Sequence, residues 1–287
     1  MTQPIVDARN MVNLSRYPML DLESAEGVAF ARSCREEYLQ TGLCMLKEFI
    51  LPHVLPDLVA EAAGSVDDAY FCKSSHNAYL TADDANLADD DIERRQEQTF
   101  VGSVPYDRID PGGQLNGLYQ WDPLKNFIGS VLGKETLYRF ADPFGACSIN
   151  VFVDGGEHGW HFDESEFTVT LMLQPPEVGG TFEYVPLIRG RDDEKELVAG
   201  LLDGKRDGVV ELPFSAGTLL IFGGNQTIHR VTRVQGERPR LVPVLCYSET
   251  PGQVNSESVR QLFWGRIGRE TDTPTLLSAQ VGKQSKL

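Results

Sequence analysis

The chain has 287 residues, enough for one large β-rich domain with added helices or for two small domains. It carries 26 Lys+Arg against 42 Asp+Glu, a net charge of −16, with the basic residues scattered. That balance argues against nucleic acid and anionic membranes as partners, because both need a concentrated basic face. Five cysteines, Cys34, Cys44, Cys72, Cys147 and Cys246, contain no Cys-x-x-Cys pair and are odd in number. This argues against a thiolate zinc site and a disulfide framework.

No basic stretch followed by an apolar run opens the chain, and no segment approaches a membrane span, so the expectation is a cytoplasmic protein. Residues 1–20 show no period. From Leu22 to Gln40 the apolar spacing predicts an amphipathic helix, with Gly42 as its stop. Leu43–Ile50 reads as a short strand, and Pro56 opens a second helix running to about Tyr70. Residues 71–112 carry acidic clusters at Asp83–Asp84 and Asp89–Asp91. They read as a solvated loop, with a lid over a pocket as the alternative. Leu115–Leu132 has helical spacing and ends at Gly133.

Beyond Gly133 the pattern changes to short β-type runs near 135–140, 145–154, 166–174, 180–186, 208–212, 217–222, 228–234 and 240–247. Gly155-Gly156, Pro175-Pro176, Gly179-Gly180 and Gly223-Gly224 separate some of them. A last helix is expected from about Ser256 to Phe263. The fold class is mainly β with flanking helices, built on a jelly-roll (double-stranded β-helix, cupin-like) core. One domain over 1–287 is the simplest organisation. It comprises helical decoration over 1–134, the core over 135–250, and a helix and tail over 251–287.

The chemistry concentrates in Gly159-Trp160-His161-Phe162-Asp163. In an extended segment alternate residues share a face, so His161 and Asp163 can reach one metal. His229 lies 68 residues later on another expected strand. Two imidazoles and one carboxylate on one side of a metal leave open positions opposite, which suits non-haem Fe(II) binding a cosubstrate and O2. Arg240 follows a turn at Gln235-Gly236-Glu237. A hairpin there would point Arg240 into the cavity of His229, where its guanidinium fork pairs with the far carboxylate of 2-oxoglutarate. Each residue alone is a weak signal; the combination in a β-rich half carries the reading. His53 and His76 fall outside this pattern and receive no role.

The same residues resemble the Fe(II)/2-oxoglutarate oxygenase superfamily. Leu137–Pro143, His158–Asp163, Phe167–Gln174 and Phe263-Trp264-Gly265-Arg266 are similar to a subgroup of radical halogenases and hydroxylases acting on free amino acids. The likeness spans about residues 95–270. It implies a jelly-roll fold, Fe(II), 2-oxoglutarate and O2 as cofactor and cosubstrates, and a small-molecule substrate. Halogenases of this subgroup replace the triad carboxylate with a small residue. This chain keeps Asp163, so the resemblance implies hydroxylation, or desaturation or ring closure, rather than halogenation.

Further pocket candidates stay open between two readings each. The resemblance implies that His158 contacts substrate; otherwise it is a loop histidine. Glu164 and Asp142 are candidates for a substrate ammonium, or a surface residue and a turn residue respectively. Trp264 closes the pocket or belongs to the core. Trp160 is expected behind the metal ligands at the edge of the cofactor set. Thr170 hydrogen-bonds the cosubstrate or is an ordinary strand threonine. Val244 and Cys246 weaken the case for a lysine-like substrate. Rival readings are a cupin-like metalloenzyme independent of 2-oxoglutarate, a non-catalytic jelly-roll binding protein, and a peptide or protein hydroxylase.

Overall fold

The computed structural model describes residues 6–268. The tail expected beyond residue 268 lies outside them. The N-terminal third packs helices on the outside of a sheet. Helix α1 (Ala25–Thr41) starts where Ser24 Oγ accepts the Gly27 N–H at 3.1 Å and stops at Gly42, whose φ of 77° suits glycine. Strand β1 (Leu43–Leu46) follows, then α2 (Leu55–Gly64).

Residues 71–112 are not the solvated loop the sequence suggested. Strands β2 (Tyr70–His76) and β3 (Glu97–Val104) pair antiparallel, from Tyr70 opposite Ser103 to His76 opposite Glu97. The pairing escaped notice because β2 buries a single residue, Cys72, and shows no apolar alternation. The connection between the two strands is a loop, and residues 105–112 beyond β3 form a turn with one 3-10 segment at Tyr106–Arg108. The connection is held from within: the buried Asn77 donates to Thr81 O and Glu93 O, and Arg94 bridges Asp83 and Asp89.

The expected helix over 115–132 is two helices, α3 (Gln114–Tyr119) and α4 (Asp122–Leu132). Pro123 has no N–H to bond the Tyr119 carbonyl, so the helix breaks. That carbonyl accepts from Arg139 Nε at 2.8 Å instead. Gly133, at φ 68°, ends α4 as expected.

The remaining elements are β4 (Tyr138–Arg139), β5 (Cys147–Phe152), β6 (Glu157–His161), β7 (Thr168–Met172), β8 (Phe182–Val185), α5 (Glu194–Leu202), β9 (Val210–Leu212), β10 (Thr218–Phe222), β11 (Ile228–Val231), β12 (Arg240–Leu245), β13 (Tyr247–Ser248) and α6 (Glu257–Trp264). Strand order β1-β10-β7-β12-β5-β3-β6-β11-β8-β9 makes one curled antiparallel sheet, with β2 added on β3. β3 joins the two layers. Its C-terminal half pairs with β5 and its N-terminal half with β6. This is a jelly-roll core with α1 to α4 on one face.

Alternation along the strands places the site. Ile149, Val151, Val169, Leu171, Leu219, Ile221, Leu241 and Leu245 belong to the apolar cluster that the helices cover. Their neighbours Ser148, Asn150, Thr170, Phe222, Arg240 and Val242 line a cavity on the other face. Helix α5 was not expected from the sequence; Val198 and Leu201 seat it in a third cluster with Trp160, Phe162 and Ile228. All five cysteines are free. Among the described residues no helix is long and apolar enough to cross a membrane.

Candidate metal centre

His161 ends β6 and His229 sits on β11, and the two are direct cross-strand partners. Their register holds the rings 4.2 Å apart between centroids. His161 Nδ1 lies 2.8 Å from the Gly159 carbonyl, and His229 Nδ1 lies 3.0 Å from the Thr227 carbonyl. A carbonyl only accepts, so each Nδ1 carries the hydrogen and each Nε2 presents a lone pair. Phe182 and Phe222 pack on the His229 ring and fix its plane.

Asp163 lies just past the strand. Its N–H donates to the Gly224 carbonyl at 3.0 Å, and its Oδ2 accepts from Thr168 Oγ1 at 2.8 Å. Oδ1 is 3.5 Å from both Nε2 atoms. Ligand atoms about 2.1 Å from one ion stand roughly 3 to 4 Å apart, so the spacing fits a single metal. Burial pushes the Asp163 carboxyl up, but His229 and the contacts with both imidazoles outweigh it and hold it well below the usual carboxylate range.

Gly224 makes this carboxylate position possible. A Cβ there would stand 2.0 Å from Asp163 Oδ2. Gly224→Ala is therefore expected to displace Asp163 and cut metal affinity by about 10- to 100-fold, as loss of ligand orientation does. Metal titration on folded protein checks this; unchanged affinity would remove the glycine from its role.

Two lobes meet at the centre. The deeper, of about 240 Å³, is lined by His229, Arg240, Thr170, Ser148 and Asn150. Arg240 is 3% exposed, and no ion pair is found for it among the described residues. Its Nε has no hydrogen-bond partner, and its guanidinium lies over Phe152 at 5.1 Å. Burial lowers its pKa from 12.5 to about 9. A buried cation without a counter-ion is costly, so this lobe is built for an anion. The route of Arg240 into it differs from the expected hairpin. β11 and β12 do not pair; β11 bonds β6 and β8, and β12 bonds β5 and β7. They belong to opposite layers and converge across the cavity.

The larger lobe, of about 490 Å³, opens on the other side of His161 and Asp163. His158 lines both lobes and stacks on His161 at 3.8 Å. Glu164 is exposed at the rim of the larger lobe. Trp264 lines the deeper lobe and packs on Phe144, with its Nε1 unpartnered.

Two candidates fall away from the cavity. Asp142 is buried and takes N–H donors from Phe144, Gly145, Asn255 and the Arg260 guanidinium. Burial opposes its ionisation, yet these donors hold its pKa low. Its acceptor capacity is spent on a turn and on α6, so it is not a substrate contact. Trp160 alternates with His161 and points to the opposite face, where Arg230 lies over its ring at 4.7 Å. It backs the ligand strand and does not touch a cosubstrate.

His76 was missed. It lies at the end of β2, and a ring nitrogen of each of His76, His158 and His161 falls within 4.8 Å of the others. No sequence spacing signals it, because pairing with β3 brings it in.

Burial and the neighbouring His229 lower the His161 pKa from 6.5 to about 4, against the opposing pull of Asp163. Burial likewise lowers His76 and, far more, His158. Above pH 6.5 these rings are neutral in the folded and unfolded chain. As pH falls from 6.5 towards 4 the unfolded chain takes up protons that the folded one refuses, and stability is lost. The effect should reach a few kcal/mol. The melting temperature of metal-free protein should drop through this window; a flat profile would contradict the buried neutral cluster.

A family model described as Halogenase D matches residues 29–262. No curated protein matches the sequence. Among solved structures, the epimerase SnoN from nogalamycin biosynthesis is 14% identical with a TM-score of 0.53, covering 77% of this chain and 83% of its own. The carbocyclase SnoK from nogalamycin biosynthesis is 14% identical at 0.52, with 75% and 83% covered. AviO1 from Streptomyces viridochromogenes Tue57 is 14% identical at 0.52, with 79% and 97% covered. The fold is that of the Fe(II)/2-oxoglutarate oxygenase superfamily. The chain belongs to the Halogenase D family.

Proposed function

We propose that this protein is an Fe(II)/2-oxoglutarate-dependent oxygenase that hydroxylates an unactivated carbon of a free amino acid or similar small metabolite. The observation that carries this is the pairing of an open-sided His161–Asp163–His229 cluster with a buried, unpartnered Arg240 in the adjoining lobe. A metal site alone would leave Arg240 without a purpose.

In this reading His161 Nε2, His229 Nε2 and Asp163 Oδ1 hold the iron on one face. Arg240 pairs with the C5 carboxylate of 2-oxoglutarate in the deeper lobe, beside Thr170. When bound, iron with 2-oxoglutarate and O2 supplies oxidation of a C–H bond, with succinate and CO2 as coproducts. The protein fixes ligand geometry, positions the substrate in the larger lobe and excludes water.

Asp163 decides the outcome within a family described as halogenases. Its carboxylate fills the ligand position that a halide would need. Hydroxylation is therefore favoured over halogenation, and desaturation or ring closure would use the same site. Succinate release with Fe(II) and ascorbate, across a panel of free amino acids and small amines with product masses read in parallel, tests the proposal. A substrate-dependent rise with one added oxygen supports it. Loss of two hydrogens moves it to desaturation or cyclisation, and a halogenated product overturns the role given to Asp163.

A further inference from the structure

Helix α6 and the residue before its cap form a wall that the two lobes share. Asn255, Val259 and Phe263 line both lobes, Leu262 lines the larger and Trp264 the deeper. The helix packs on β2 and β3 without joining the sheet, so no ladder of backbone hydrogen bonds holds it in place.

What fastens it is a carboxylate outside the cavity. Asp142 Oδ2 accepts the Asn255 N–H and the Arg260 Nε–H, both at 2.8 Å. Its other oxygen, Oδ1, accepts the Phe144 and Gly145 N–H groups of the turn before β5. Arg260 also reaches past the end of the helix, where its Nη1 donates to the Ile267 carbonyl at 3.1 Å. One carboxylate therefore ties both ends of α6 to that turn. The two surfaces are in close contact: a Cβ on Gly145 would stand 2.1 Å from Asn255 Nδ2 and 2.9 Å from the Trp264 ring. A second tie, Arg266 to Asp107 at 2.6 Å, lies nearer the surface.

The Asp142 side chain is 0% exposed, so water does not stand in for a lost donor. Moving α6 away would strip the carboxylate of two of its four donors and leave a buried charge half-satisfied, which is strongly unfavourable. We infer that Asp142 is a positioning residue: through Asn255 and Arg260 it holds α6 shut as the common wall of both lobes. This follows from the packing and does not depend on what the lobes bind.

Labelling of the full chain with N-ethylmaleimide, followed cysteine by cysteine by mass spectrometry, reads the wall directly. Cys246 lines both lobes, whereas Cys147 is fully buried in the cluster that α1 to α4 cover and reports general loosening. Asp142→Asn leaves an oxygen for the turn but sets an amide N–H against the donors of Asn255 and Arg260. Labelling of Cys246 relative to Cys147 should rise about tenfold or more, as expected when a hydrogen bond to a buried charge is lost from a locally opening segment. Arg260→Gln, at a partly exposed side chain with less folding risk, should raise the ratio in the same way. Arg260→Lys, which keeps the charge, should fall between it and the unmodified protein. An unchanged ratio in Arg260→Gln overturns the inference, as does an equal rise at both cysteines, which a residue serving only general stability would give.

Anaerobic titration of the same variants with Fe(II) and 2-oxoglutarate supplies a second readout. The 2-oxoglutarate midpoint should rise about several-fold while the Fe(II) midpoint stays put, because α6 lines the deeper lobe and carries none of the metal cluster. An Fe(II) midpoint that shifts as far as the 2-oxoglutarate midpoint would contradict a role confined to the wall. This readout alone rests on the oxygenase reading. Absence of 2-oxoglutarate binding by the unmodified protein would bring that reading down, and the labelling ratio would still decide the role of Asp142.

Discussion

Asp163→Ala is expected to reduce substrate-dependent succinate formation by at least a hundredfold, since loss of a ligand should exceed the 10- to 100-fold cost of disturbing a supporting group. Asp163 is the only carboxylate within reach of both Nε2 atoms in the described cluster. Its removal leaves two imidazoles and an open ligand position that, in halide-free buffer, no other group of the described cluster fills. Metal content after gel filtration should fall together with turnover. Turnover that persists unchanged in this variant would show that the carboxylate is not a ligand.

Arg240→Ala should act on the cosubstrate instead. The 2-oxoglutarate concentration needed for half-maximal turnover should rise by about two to three orders of magnitude, as when one partner of a buried hydrogen-bonded charge pair is removed. The cosubstrate-free protein should be no less stable, because the variant also deletes a buried cation without a counter-ion. This pairing of outcomes separates a ligand-binding arginine from a structural one. A structural arginine would lower the melting temperature and leave the 2-oxoglutarate requirement where it was.

The metal cluster was legible in the sequence for a local reason. His161 and Asp163 are two residues apart, and both they and His229 fall in the half of the chain made of short β-type runs. Strand pairing then supplied the precision: His229 faces His161 across the β6–β11 ladder. Arg240 was legible as a cavity residue, but its path was misread. A turn between two strands suggested a hairpin, whereas the jelly roll sends the chain from one layer to the other.

What escaped notice depended on long-range pairing or on polar surfaces. β2 opens on Tyr70-Phe71-Cys72 and continues with Lys73-Ser74-Ser75, without apolar–polar alternation, so neither the strand nor His76 at its end gave a periodic signal. Asp142 looked available because a sequence cannot show that three backbone N–H groups and Arg260 already claim its oxygens. The break between α3 and α4 was within reach of the sequence, since Pro123 marks it.

The central claim is that one site binds iron and 2-oxoglutarate together. Its most direct test is anaerobic titration of the metal-free protein with Fe(II) and 2-oxoglutarate, followed by visible absorption. The account predicts a band that requires both additions, is absent with either alone, and is lost in Asp163→Ala. No band with both present, in protein that remains folded, would contradict it.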